Sequence, residues 1–134
     1  MAQLTNETSF QNPLFQSLDA KYRHTDSALL NAVEEMVRGL IDADLGGSLV
    51  KKRIGLAGRG KRGSARTLVA TNKGNRWFFV FGFEKNERAN IADGELEALR
   101  DIAEQLLVRT GSQLDEAVKE GALQEICHDQ KNQN

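Results

Sequence analysis

The sequence predicts an α+β domain, in which two N-terminal helices and one C-terminal helix pack on a small antiparallel sheet. Three observations predict this class. Apolar residues recur at helical spacing before residue 42 and after residue 92. The stretch between these segments contains runs rich in β-branched and aromatic residues, which are typical of strands. The helices therefore flank the strands and do not alternate with them, as expected when helices are segregated around an antiparallel sheet.

The chain has the length and composition of one globular domain. It contains 134 residues, of which 40% are hydrophobic and 28% charged, enough to bury an ordinary core. We expect a single domain over residues 1–128 and a disordered tail over residues 129–134. No apolar run approaches the roughly 18 residues that cross a bilayer, and the N-terminus lacks the features of a signal peptide. A cytoplasmic protein is expected, and the single cysteine, Cys127, fits a reducing compartment.

The first expected elements are a short strand and a helix. A possible strand ends near Phe10 within an otherwise polar stretch. Pro13 suits the first turn of a helix that runs to about Arg23, because the backbone N–H that proline lacks has no partner there in any case. The buried face of this helix would hold Leu14, Phe15 and Leu18.

A second helix has clearer signals. Thr25 or Asp26 can cap it, it ends at about Ile41, and its apolar positions are Leu29, Leu30, Val33, Met36 or Val37, and Leu40. Asp42 and Asp44 follow, ahead of two glycines. They could form a metal pair, but acidic residues two apart at a helix end are more often solvated turn residues.

Three strands and a glycine-rich loop form the predicted centre. Strands are expected over residues 48–54 and 65–71, with an irregular loop over residues 55–63 between them. A turn over residues 72–75 then makes a hairpin with a third strand over residues 77–81. The third run is continuously apolar, which suits a central strand that is covered on both faces.

The glycine-rich loop matches only half of a phosphate-binding P-loop. Gly55, Gly60 and Lys61 fit the pattern G-x-x-x-x-G-K. Arg62 stands where a serine or threonine must bind Mg²⁺, and no apolar helix follows. Nucleotide hydrolysis is therefore rejected.

The aromatic residues of the third strand allow two interpretations. Trp77, Phe78, Phe79 and Phe81 can simply fill the core of the sheet, and this interpretation is favoured. They can also form a platform on which bases stack.

The C-terminal part predicts a long helix and two short elements. Asp93 can cap a helix that ends before Gly111, and its apolar stripe consists of Leu96, Leu99, Ile102, Ala103, Leu106 and Leu107. We expect this helix to pack on the sheet. A short helix from about Ser112 to Lys119 follows, and the segment from Leu123 to Cys127 could be an edge strand.

Charge is distributed very unevenly along the chain. The segment from Leu45 to Phe83, which we call the basic segment, contains no Asp or Glu and nine cations: Lys51, Lys52, Arg53, Arg59, Lys61, Arg62, Arg66, Lys73 and Arg76. The whole chain has a formal net charge of −1, so the other residues carry −10. Phosphate contacts are made by Lys, Arg and free backbone N–H groups. The basic segment therefore favours a polyanion as ligand over the alternative of a merely solvated loop.

Three blocks of the sequence resemble a known family. They are LGGSLVKKR from Leu45, GRGKRGSARTL from Gly58 and FFVFGFEKNERANI from Phe78. In these blocks the chain resembles the RelE-type toxins of bacterial toxin–antitoxin modules, in particular the subgroup marked by GGxxxKxR, GxGKxGxxRT and FFxxGFxKxxRxNI. The resemblance covers about residues 10 to 127. It implies a fold similar to small microbial ribonucleases and an enzyme that cuts mRNA in the ribosomal A site without a cofactor, held inactive by a cognate antitoxin.

The resemblance also implies roles for individual residues. By motif position, Arg66 is similar to the arginine that stabilises the transition state, and Lys85 stands near a second cation of the family. Arg88 and Asn90 are implied RNA contacts. Many family members also use a tyrosine or histidine near the end of the sheet or chain, whereas Tyr22 lies in the first predicted helix. The group that transfers protons is therefore open.

The residues themselves indicate how such a reaction could proceed without metal. Cleavage of RNA needs a base for the 2′-hydroxyl, cations for the phosphorane and a donor for the leaving oxygen. Neighbouring cations depress one another's pKa values, so a lysine could become a usable base while arginine stays charged. The catalytic candidates are Arg66, Lys85, Lys61 and Lys52, with Lys51 a further candidate base and His128 an outside candidate. The expected RNA or ribosome contacts are Lys51, Arg53, Arg59, Arg62, Arg88 and Asn90.

Two other functions fit the same pattern. A gyrase poison of the ParE type shares the fold and binds a protein target without cutting RNA, because fold alone does not determine function. A non-catalytic RNA-binding module needs only the basic segment. The expected partners under the preferred interpretation are an antitoxin, the ribosome and mRNA, with no membrane and no small-molecule cofactor.

Overall fold

The computed structural model describes residues 8–11, 26–55, 64–84 and 91–126. In these ranges the chain forms β1 (Thr8–Gln11), α1 (Asp26–Val37), β2 (Ala43–Gly46), β3 (Leu49–Gly55), β4 (Ser64–Thr71), β5 (Arg76–Glu84), α2 (Asp93–Leu107), α3 (Gly111–Lys119) and β6 (Gln124–Glu125). The predicted α+β class is confirmed. The helix predicted from Pro13 to Arg23 lies outside the described residues.

The six strands form one mixed sheet in the order β2-β3-β4-β5-β1-β6. From β2 to β5 every neighbouring pair is antiparallel, as expected from short connections. The expectation of a wholly antiparallel sheet is corrected at β1, which runs parallel to β5 and places Phe10 beside Phe78. A parallel pair needs a long crossover, and the chain between these two strands is long enough to supply one. The predicted C-terminal edge strand is present as β6, which pairs with β1.

Helices cover both faces of the sheet and create two cores. On one face, here called the α1 face, α1 packs against the sheet, and the cluster includes Leu29, Val33, Met36, Val50, Val69, Trp77 and Phe79. On the other face, called the α2 face, α2 and α3 pack against the sheet, and the cluster includes Leu49, Leu68, Ala70, Phe78, Leu99, Ala103 and Leu114. The predicted stripe of α2 is confirmed, since Leu99, Ala103 and Leu106 are buried. None of the described helices is long and apolar enough to cross a membrane.

Of the two acidic residues before the glycine pair, one belongs to a strand. Asp44 lies in β2, an edge strand, so the expectation that it is a turn residue is corrected, whereas Asp42 lies in a bend directly before β2. The backbone N–H of Asp42 donates to the Lys51 carbonyl over 3.0 Å, and its carboxylate accepts from the backbone N–H of Arg53 over 2.5 Å. The strand is short and exposed at alternate positions. Such an edge carries too few apolar residues to give a sequence signal.

The start of α2 differs by one residue from the predicted cap. Ala92 is the cap residue and Asp93 is the first helical residue. The Glu95 carboxylate accepts a hydrogen bond from the Ala92 backbone N–H over 3.1 Å, so the acidic first turn still satisfies a donor at this end.

A bulge in β5 changes which face its aromatic residues occupy. Leu68 pairs with Phe81, but its neighbour Val69 pairs with Phe79, so Val80 is an extra residue in β5. In an unbroken strand, side chains two apart share a face, and Phe79 and Phe81 would lie together. Because of the bulge, Phe79 packs on the α1 face while Phe81 contacts the core of the α2 face.

Candidate nucleic-acid interface

Three cations of the basic segment share the α2 face of the sheet. Lys51 and Arg53 are two residues apart on β3, and Arg66 pairs with Arg53 on the adjacent strand β4. Arg53 is exposed, and Lys51 and Arg66 are partly exposed. Toward the other end of the same strands, Leu49 and Ala70 are buried in the core that α2 covers. The α2 face is therefore apolar at one end and cationic at the other, and we call the group of Lys51, Arg53 and Arg66 the cation cluster.

The cation cluster places like charges opposite each other. Arg53 and Arg66 are direct cross-strand partners, and residues paired in this way have Cβ atoms roughly 5 Å apart. Like charges directly opposite each other are destabilising in a sheet. Two neighbouring guanidinium groups also present several donors that suit one phosphate. The pair is therefore a candidate position for an anion.

Two aromatic residues of β5 lie in the same rows of cross-strand partners as the cation cluster. Leu68 lies between Lys51 and Phe81, and Arg66 lies between Arg53 and Phe83. The two phenyl rings are 6.3 Å apart between centroids and tilted by 45°. Phe83 is 4% exposed, whereas Phe81 is partly exposed. One partly exposed phenyl ring, that of Phe81, and three cations thus lie side by side at one end of the sheet.

Lys52 lies on the opposite face from Arg66, although both are catalytic candidates. Its side chain points to the α1 face, where the ammonium Nζ is 2.8 Å from Glu35 Oε1 and donates to the Leu40 carbonyl over 3.0 Å. Lys52 is 7% exposed, and burying a charged group is tolerated where it is paired and hydrogen-bonded in this way. The structure therefore does not bring Lys52 together with Arg66. Sequence reasoning missed its partner Glu35, because no local pattern links residues so far apart.

Two further cations of the basic segment have partners outside the cation cluster. The Lys73 ammonium is 2.6 Å from Asp44 Oδ2. The pKa of Asp44 is lowered from its ordinary value of 3.8, chiefly because Lys73 donates a hydrogen bond to its carboxylate. The hydrogen bond from the backbone N–H of Gly46 and then the positive charge of Lys73 lower it further. Arg76 donates to the carbonyl of Arg109, beyond the end of α2. These two cations and Lys52 therefore hold parts of the fold together at positions away from the cation cluster.

The other predicted site residues lie outside the described ranges. Arg59, Lys61 and Arg62 belong to residues 56–63, and Lys85, Arg88 and Asn90 belong to residues 85–90. Both segments begin at one end of the sheet, where Gly55 pairs with Ser64 and Ala65 pairs with Glu84. This is the end that carries Arg53 and Arg66. His24 and His128 are also outside the described residues.

The described part of the site can bind and polarise a phosphate group. Arginine offers a planar fork of donors that matches two phosphate oxygens, and lysine adds a compact charge. Within the described ranges, no group of three or more His, Cys, Asp or Glu residues is placed to hold a metal ion. The arginine forks and the lysine of the cation cluster are suited to electrostatic stabilisation of a phosphorane.

Comparison with protein families gives a match over most of the chain. The family model described as the RelE toxin of the RelE/RelB toxin–antitoxin system matches residues 8–126. No curated protein matches the chain.

Proposed function

Because the chain belongs to the RelE toxin family, and is thus a toxin of a toxin–antitoxin system with an antitoxin as partner, we propose that it cleaves mRNA on the ribosome. In this proposal the protein is a metal-independent endoribonuclease that inhibits translation. The observation that carries the proposal is the cross-strand pair of Arg53 and Arg66 beside Lys51 on the α2 face.

The proposed reaction uses these cations for charge stabilisation. The 2′-hydroxyl of the RNA attacks the adjacent phosphorus, and negative charge accumulates on the oxygens of the pentavalent phosphorane. Arg66, flanked by Arg53, binds these oxygens more strongly as their charge increases, so the interaction favours the transition state over bound RNA. Loss of the 5′-oxygen then requires a proton donor.

The proton-transfer groups are proposed from position. Of the described lysines, Lys51 lies on the same face as Arg66, whereas Lys52 is paired with Glu35 on the opposite face. Lys61 and Lys85 follow the strand ends next to Arg66 and remain candidates for base and acid, and His128 stays an outside candidate. Arg59, Arg62, Arg88 and Asn90 complete the proposed RNA or ribosome contacts.

Replacement of Arg66 tests the proposal. We expect Arg66→Ala to lower the single-turnover cleavage rate on programmed ribosomes by about 10² to 10³, equivalent to roughly 3 to 4 kcal/mol, with nearly unchanged ribosome affinity. Arg66→Lys should restore little activity, because a point charge lacks the bidentate fork. Primer extension of the message measures the cuts, and thermal unfolding checks the fold of each variant.

A matched control removes a guanidinium elsewhere. Arg38 is exposed beyond the end of α1, so Arg38→Ala should cleave at the wild-type rate. A folded Arg66→Ala variant with wild-type cleavage would exclude the catalytic role of Arg66. Intact mRNA together with inhibited gyrase would contradict the nuclease and favour the gyrase poison, and tight binding of RNA without any cut would favour the non-catalytic module.

A further inference from the structure

Phe81 packs at the edge of the core of the α2 face, and the core covers its ring only in part. The preceding residues of β5 from Trp77 to Val80 are all fully buried, but Phe81 is partly exposed. It lies on the α2 face in the row that contains Lys51 and Leu68. The ring is therefore at the margin between the apolar core and the cation cluster.

The bulge at Val80 is what brings Phe81 to this position. Without the extra residue, Phe81 would follow Trp77 and Phe79 onto the α1 face, since side chains two apart share a face. Bulges occur frequently beside active sites, where they redirect a side chain. The bulge interrupts a long antiparallel pairing between β4 and β5, which weakens the ladder locally. Its effect on this face is to supply an aromatic ring next to the cations.

The spacing of the two groups suits one nucleotide. Phe81 and Lys51 lie on strands separated by β4, which puts their backbones roughly 10 Å apart across the sheet. Arg66 lies on β4, next to β5, and is displaced from Phe81 by two residues, or roughly 7 Å, along the strand direction. A base and the phosphates that flank it are separated by distances of this order. Phe83 is buried beside Phe81, with 6.3 Å between ring centroids, and supports the ring from one side.

We propose that Phe81 is a substrate-positioning residue, on which one unpaired base of the mRNA stacks while the cation cluster binds the adjacent phosphate. This inference rests on the proposed function and adds a contact to the base itself. Sequence-specific and single-stranded RNA recognition commonly uses such stacking on aromatic side chains, together with cations along the backbone. Stacking tolerates every base because each has a π face, so Phe81 supplies affinity and position, and larger purines gain most from it.

A fluorescence experiment separates stacking from core packing. The full chain is bound to ribosomes programmed with an mRNA that carries 2-aminopurine at one position of the exposed codon and a 2′-O-methyl group that blocks cleavage. Stacking quenches 2-aminopurine. We expect wild-type protein to quench one position, Phe81→Leu to lose the quenching and to bind roughly ten- to one-hundredfold more weakly, and Phe81→Trp to restore both.

The control is a phenylalanine in the core. Phe10 stacks on Phe78 with 5.1 Å between centroids and is 4% exposed, so Phe10→Leu removes a ring of equal size and should quench like wild type. Quenching and affinity at wild-type levels in folded Phe81→Leu would overturn the proposal, as would an absence of quenching by wild type at every position of the codon. Cleavage of unblocked mRNA is measured separately, and its absence would count against the proposed function alone.

Discussion

Lys52 illustrates how a buried charge depends on its partner. Its ammonium has two acceptors, the Glu35 carboxylate and the Leu40 carbonyl, and these hydrogen bonds connect β3 to α1 and to the chain after it. Glu35 is 35% exposed at its side chain, so water can solvate the carboxylate if the lysine is removed. Lys52 cannot be solvated in the same way. The two partners are therefore expected to contribute unequally to stability.

We expect Glu35→Ala to destabilise the protein by about 1 to 3 kcal/mol, because the buried ammonium then has no counter-ion while exposure of the carboxylate limits the effect. Lys52→Met keeps the apolar stem and should cost less. Glu34→Ala, an exposed neighbour on α1, is the control and should change stability by less than about 0.5 kcal/mol. Urea unfolding measures all three, and a larger decrease in stability for Lys52→Met than for Glu35→Ala would contradict this reasoning.

The Lys52→Met variant also tests the predicted catalytic role of Lys52. Because Lys52 and Arg66 are on opposite faces, we expect the folded variant to retain cleavage. A folded variant without cleavage would support the catalytic role.

Among the elements, the turn between β2 and β3 is held by a helix. Arg100 of α2 donates through Nε to the Leu45 carbonyl over 3.1 Å, and its Nη2 donates to the same oxygen. Gly47 has a φ of +61°, and a Cβ added there would lie 2.9 Å from Cγ of Arg100. The close approach of helix and turn therefore requires glycine for two reasons, backbone conformation and space.

Three glycine substitutions separate these two reasons. Gly47→Ala should cost about 2 kcal/mol or more, since it combines a left-handed backbone with a clash. Gly39→Ala should cost about 1 kcal/mol, because Gly39 has a φ of +94° but no atom within 4 Å of an added Cβ. Gly94→Ala in α2, which also has open space, should be neutral or slightly stabilising. Thermal unfolding gives the order, and equal destabilisation at Gly47 and Gly39 would show that Arg100 moves aside freely.

Most of the helices and strands were predicted from the sequence, but one edge strand and one bulge were not. Helical spacing locates α1, α2 and α3, because each buries a periodic face, and runs of β-branched and aromatic residues locate β3, β4 and β5. The edge strand β2 was missed, since Asp42 and Asp44 are solvated whether they form a strand or a turn. The bulge at Val80 was also missed, because a continuously apolar run looks the same in either register. The face of the sheet on which the Phe81 ring lies depends on that register, so no sequence pattern could assign it.

At the scale of the whole molecule, the fold divides the charge of the basic segment. Lys52, Lys73 and Arg76 contact Glu35, Asp44 and Arg109 away from the cation cluster, and Lys51, Arg53 and Arg66 lie together on the α2 face. The composition of the sequence located the segment, but it could not divide these cations by face, because the contacts are distant along the chain. Net charge alone therefore overstates the number of cations in this segment that lie together on one face.

Salt dependence measures how many cations contact RNA. We expect Lys51→Ala with Arg53→Ala to reduce the slope of log affinity against log salt by roughly 0.7 to 0.9 for each phosphate that is no longer neutralised. The control is Arg38→Ala with Lys119→Ala, which removes the same charge from exposed positions outside the basic segment and should leave the slope nearly unchanged. Equal slopes for the two double variants would show that RNA responds to net charge and not to the cation cluster.

The parallel strand β1 has a consequence for the order of events during synthesis. Residues 8–11 are translated before the other described strands, yet they lie between β5, which ends at Glu84, and β6, which ends at Glu125. Pairings so distant in sequence form slowly, because chain entropy decreases before favourable interactions compensate for it. A nascent chain that stops short of β6 leaves one backbone edge of β1 without its final neighbour. Of the described strands, the one that is made first is thus the last to gain both of its neighbours.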